Sequence, residues 1–238
     1  MQHSSSHYPA GLAIEHTADI MPPIPLRLVL LFAAFVFIIT MVQLGILTIA
    51  FDKLGLSSDS AFLLFMTILV GSMVNLPLLS MKSSPPKLEE IPPHLRELYR
   101  LHPFTGKTVI GVNVGGCVVP VTFCFYLLHH NPLNIYYVVL AVTAVSALSY
   151  AVSHRLPGIG LGMPILLAPL AAALVSLALD PGNAAPLAYI SGTLGVLIGA
   201  DLMHLKDIKE MGTPFASIGG AGSFDGIFLT GIVAALLA

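Results

Sequence analysis

The chain has 238 residues, of which 56% are hydrophobic and only 9% charged, and its formal net charge is −2. Soluble domains carry roughly 25% charged residues, so the composition excludes an ordinary soluble fold, and 10 basic against 12 acidic residues exclude a basic nucleic-acid-binding surface. Two cysteines exclude a disulfide framework or a cysteine zinc site, which leaves the lipid bilayer as the main partner.

Residues 1–25 read as a polar, flexible leader with three histidines. A cleavable signal peptide places its apolar run closer to the N-terminus, so no cleavage is expected. Residues 26–238 read as one transmembrane domain. About 20 apolar residues cross the hydrocarbon as a helix, and seven stretches reach that length: Leu26 to Ala50, Ser60 to Met81, Thr108 to Leu128, Leu133 to Ser153, Gly158 to Leu179, Ala184 to Leu205 and Ser217 to Leu237. Barrel strands are about 10 residues long and alternate in polarity. The expected fold is therefore all-α, a polytopic bundle of about seven transmembrane helices, multi-pass in the cell (inner or plasma) membrane.

Lys and Arg set the orientation. Arg27, Lys82, Lys87, Arg96, Arg100, Lys107, Arg155, Lys206 and Lys209 fall on one side and Lys53 alone on the other, which puts the N-terminus in the cytoplasm and the C-terminus outside. Asp52 and Lys53 read as a solvated pair. The one long connection, 82–107, contains "SSPPKLEEIPPHLRELYRLHP". Pro92 and Pro93 suit a helix start, and Leu95, Leu98 and Leu101 share a face, so a short interfacial helix is expected there. Cys117 and Cys124 lie two turns apart on the third span, too far for a disulfide, and read as small core residues.

Of the twelve acidic residues, Asp201 and Asp225 alone fall well inside expected spans. A carboxylate at mid-helix costs roughly 2.5–3.5 kcal/mol on insertion scales, which makes both candidates for function. The sixth span places Asp201 about 6 Å from its cytoplasmic end and the seventh carries Asp225 back to about 12 Å at 1.5 Å per residue. Looser winding at Gly219, Gly220 and Gly222 narrows that difference. Two close carboxyls share a proton, and such a pair can activate water while protonating a carbonyl. Ala221 and Gly222 share the Asp225 face and, with Gly220, leave room for a substrate backbone. Gly192, Gly195 and Gly199 lie opposite Asp201, where they suit close helix packing.

"IGAD", ending in Asp201, and "GGAGSFDG", around Asp225, resemble the two-aspartate signature of the GxGD-type intramembrane aspartyl proteases, the group of presenilin, signal peptide peptidase and prepilin peptidase. The resemblance implies catalytic roles for Asp201 and Asp225 on a membrane peptide substrate, with no cofactor. Ser223 and Phe224 separate Gly222 from Asp225, where the protease motif has none, and Ala200 stands where presenilins have tyrosine. The ending "ASIGGAGSFDGIFLTGIVAALLA", with "GVNVGGCVVP" and "GIGLGMPILLAP", is similar to a prokaryotic family of small polytopic membrane proteins labelled as a domain of unknown function.

Other readings use the same residues. Intramembrane carboxylates mark proton and cation paths, and spans interrupted near Asn113, Pro120, Pro164 and Pro169 suit a proton-coupled transporter, with Asn113, Asn75 and Gln43 as further ligands. Asp201 and His204, three apart on one helix, form only a weak metal pair, and no metal site is expected. In a non-catalytic scaffold the two aspartates hold the bundle by hydrogen bonds. Oligomeric state stays open.

Overall fold

The computed structural model describes residues 45–84, 106–156, 160–207, 215–220 and 226–238. The leader, most of the first expected span and the interfacial helix expected in 82–107 lie outside the described residues. Helix α1 is described over Gly45–Lys53 and meets α2, Ser58–Gly71, at 109°. Leu54 and Gly55, the latter at φ 76°, make the turn, and Ser57 caps α2 by accepting from the Ser60 N–H at 3.4 Å. Lys53 does not simply face water beside Asp52. Its Nζ donates to the Leu236 carbonyl at 2.8 Å, at the end of α7, where a cation suits the helix dipole.

The fold is mostly helical, but the all-α expectation is corrected by a three-stranded sheet. Strand β1, Asn75–Lys82, runs antiparallel to β2, Lys107–Asn113, and β2 runs parallel to β5, Phe215–Ile218. These strands occupy the end of the second expected span and the beginnings of the third and seventh. Pro77 accounts for the first, since it denies a helix its N–H; the register slips between Pro77 and Leu79. In β2 the run Thr108, Val109, Ile110 and Val112 is β-branched and favours extended backbone. Gly111 at its centre has no side chain because the Phe215 ring and the Leu76 carbonyl occupy that space. A second, two-stranded ribbon pairs β3, His154–Leu156, with β4, Gly160–Gly162, so the fifth expected span also begins as strand.

The remaining helices are α3, Val119–His130; α4, Ile135–Val152; α5, Leu167–Leu179; α6, Ala184–Val196; and α7, Gly226–Leu237. A π-helical turn, Val114–Val118, leads into α3, and a second, Leu197–Leu202, extends α6. Helix α6 is the axis of the bundle, touching α3, α4, α5 and α7. Its composition explains this position: apolar and small residues on every side suit burial all round. By length and composition two helices, Ile135–Val152 and Pro181–Leu202, are able to cross a membrane, or three if α1 and α2 form one bent span.

The α6 glycines face neighbours as the sequence pattern suggests. A Cβ on Gly195 would meet Val145 of α4 at 2.6 Å, and one on Gly199 would run into the Ser146 carbonyl and the Ser149 side chain. Gly192 is roomier, with Ala172, Thr230 and Ala234 at 3.4–3.5 Å from an added Cβ. On α7, Gly231 lies against Thr193 and Tyr189. Helices α6 and α7 are thus antiparallel, with residues 189–193 beside 230–234 and Val196, Leu197, Ala200 and Ile227 packed in one cluster.

Candidate functional site

Asp201 lies inside the π-helical turn that ends α6. In a π turn the N–H bonds five residues back, and Met203 donates to the Ile198 carbonyl in this way at 2.9 Å. Such turns recur at functional sites because they re-aim side chains from the helix. Here the half-buried carboxylate accepts a hydrogen bond from the Gly219 N–H, with 2.7 Å between nitrogen and Oδ2.

Gly219 follows β5 directly, at φ 81°. An added Cβ there would stand 2.6 Å from the Cys117 Cβ and 2.8 Å from backbone of Gly116 and Cys117. The residue therefore sits between the two π turns, hydrogen-bonded to one and packed on the other. Close approach and left-handed backbone both require glycine.

Asn113 starts the other π turn. Its Oδ1 accepts from the Gly116 N–H at 2.7 Å, an N-cap bond of the kind asparagine supplies well. Its Nδ2 donates to the Ser72 carbonyl at 2.8 Å and to Asn75 Oδ1 at 3.1 Å. Asn75 Oδ1 also accepts from the Ser217 hydroxyl at 2.6 Å. Asn75 therefore joins β1 to β2 and β5 as a hydrogen-bonding partner.

Of the expected substrate-lining residues, Gly220 rests against the Asn113 side chain, an added Cβ lying 3.3 Å from its Cγ. Ala221, Gly222 and Asp225 lie outside the described residues. The depth expected for Asp225 assumed continuous helix from Ser217, and that assumption is corrected: Ser217 and Ile218 are strand, and α7 is described from Gly226. Cys117, expected as a small core residue, packs on the cluster of Ile110, Val196, Leu197 and Ile218 and also against Gly219, and Cys124 is buried in α3 as expected. Asn113 was seen only as a transport ligand. The signal for its capping role was present in "NVGG", an asparagine ahead of a helix start.

His204 directs Nδ1 at the carbonyls of Ala200 and Gly199, at 3.0 and 3.1 Å, and its ring lies 4.7 Å from that of Tyr150. It thus closes the last turn of the helix, as basic side chains do at C-termini. Among the described residues no group of three or more His, Cys, Asp or Glu side chains is arranged to hold a metal ion.

Fold and site together define a mostly helical protein with two or three helices long and apolar enough to cross a membrane, in which a carboxylate-bearing helix end meets a small sheet. The chain belongs to the family described as "Protein of unknown function (DUF1614)", which matches residues 69–237. No curated protein and no solved structure matches it.

Proposed function

We propose that the protein is a seven-span membrane aspartyl hydrolase in which Asp201 and Asp225 activate water on a membrane peptide, with the N-terminus in the cytoplasm and the C-terminus outside. The observation that carries this reading is the bond from Gly219 to Asp201, which ties the segment leading to Asp225 to the first carboxylate. The register of α6 against α7 supports it: Gly192 faces Thr230 and Ala234, and Gly231 faces Thr193. Towards the start of α7 the same register sets Ile227 in one cluster with Val196, Leu197 and Ala200, and the reading sets Asp225 beside Asp201. One carboxylate then acts as base on water and the other as acid on the scissile carbonyl, sharing one proton between them. The reading assigns Gly220, Ala221 and Gly222 to the extended substrate backbone beside the pair.

The test compares membrane peptides from cells carrying the wild-type protein, Asp201→Asn or Asp225→Asn. Both variants are expected to accumulate uncleaved substrate while remaining folded, because asparagine keeps the size and an acceptor oxygen but not the acid-base function. Fragments that persist unchanged in both variants contradict the reading.

The two π turns favour a second reading, transport, since broken helices line transporter sites. Proton-coupled uptake into proteoliposomes that is lost in Asp201→Asn, without any cleavage, supports it over hydrolysis.

A further inference from the structure

We propose that Asn113 is a positioning residue for Asp201, acting through the Gly219–Gly220 backbone. The proposal rests on Asp201 being the working carboxyl of the hydrolase reading. Asn113 is 2% exposed, and its amide is fully engaged: one acceptor bond from Gly116 and two donor bonds, to Ser72 and Asn75. Those three contacts join the end of α2, the start of β1 and the first π turn. The Ser217 hydroxyl on Asn75 adds β5.

The sheet carries this constraint to the carboxylate. Val112 pairs with Ile218 in the parallel register, so Asn113 and Gly219 are the next residues along the two strands. Gly220 rests on the Asn113 side chain and Gly219 on the Cys117 backbone. The Gly219 N–H is thereby held where it meets Asp201 Oδ2. Hydrogen bonds of this kind are directional and weaken steeply off-line, so a small rotation of Gly219 removes the donor from Asp201.

Asparagine is required because the position needs one acceptor and two donors on a short planar group. In Asn113→Asp the shape is kept, but a carboxylate oxygen faces the Ser72 carbonyl and Asn75 Oδ1, and both donor bonds become repulsive. In Ser217→Ala the far link of the same chain is lost with little change in volume.

The experiment is infrared spectroscopy of the full-length protein in lipid nanodiscs, with the Asp201 carboxyl band assigned as the one missing from Asp201→Asn. That band is expected to move in Asn113→Asp and, by less, in Ser217→Ala. It stays in place in Thr143→Val, which removes an exposed hydroxyl bonded within α4. An unmoved band in folded Asn113→Asp and Ser217→Ala overturns the proposal; if Asn113→Asp does not fold, Ser217→Ala decides. A moved band without Asp201-dependent cleavage removes the hydrolase reading and leaves the positioning contact. Asp201-dependent cleavage with an unmoved band does the reverse.

Discussion

Gly219→Ala is expected to lower both stability and turnover. Left-handed backbone costs an L-residue about 1–2 kcal/mol. The new Cβ also lands 2.6 Å from the Cys117 Cβ and 2.8 Å from main-chain atoms. Main chain in a π turn cannot swing aside as a flexible side-chain tip can, so the β5–α7 joint itself must move. Overpacking of this kind typically costs a further 1–3 kcal/mol or so. Movement at Gly219 also withdraws its N–H from Asp201, a bond to a charged acceptor worth about 1.5–3 kcal/mol. If that bond reaches its full strength only in the transition state, turnover falls roughly ten- to a hundredfold. Chemical unfolding in detergent micelles and turnover of an identified substrate measure the two effects. Wild-type values in both contradict the close packing at Gly219.

Gly199→Val is expected to disrupt the packing of α4 on α6. A Cβ at this position runs into the Ser146 carbonyl and the Ser149 side chain, so α4 and α6 must separate. The cost is about 3 kcal/mol, at the upper end of typical overpacking, because the colliding atom is backbone. Gly192→Ala is the internal control. Its Cβ meets Ala172, Thr230 and Ala234 at ordinary contact distance, and it is expected to leave stability unchanged or raise it by roughly 0.5–1 kcal/mol, as alanine does in place of glycine inside a helix. Reversible unfolding in mixed micelles separates the two variants. Equal stabilities contradict the packing of α4 on α6.

Much of the helical frame was legible in the sequence. The fourth expected span, Leu133 to Ser153, corresponds closely to α4, Ile135–Val152, because Asn134 caps its start and its interior is uniformly apolar. The sixth, Ala184 to Leu205, contains α6 and its π turn, and the close packing at Gly195 and Gly199 was identifiable from their i, i+4 spacing, whereas Gly192 turns to Ala172, Thr230 and Ala234. The strands were harder to see. A continuous apolar run does not distinguish buried strand from helix by periodicity, and length alone favours helix. Pro77 and the β-branched run in β2 were the signals that length outweighed.

At the site, the sequence made Asp201 conspicuous because a lone carboxylate in an apolar span is costly. It could not show that Asp201 sits in a π turn, since five-residue bonding leaves no compositional mark. Gly219 was one glycine among several in "IGGAG". Its positive φ and its place between Cys117 and Asp201 arise from contacts far apart in the chain. The same holds for Asn113, whose partners Ser72 and Asn75 are about 40 residues away.

The most direct measurement is the proximity of residues 201 and 225 in native membranes. With Cys117→Ala and Cys124→Ala as background, Asp201→Cys and Asp225→Cys are combined and treated with oxidant or a short bifunctional thiol reagent. A disulfide requires Cα atoms within about 7 Å. The account predicts efficient joining of α6 to the start of α7, lost when either cysteine is moved one residue along the chain. Two reactive thiols that fail to join contradict a paired site and leave the aspartates acting apart.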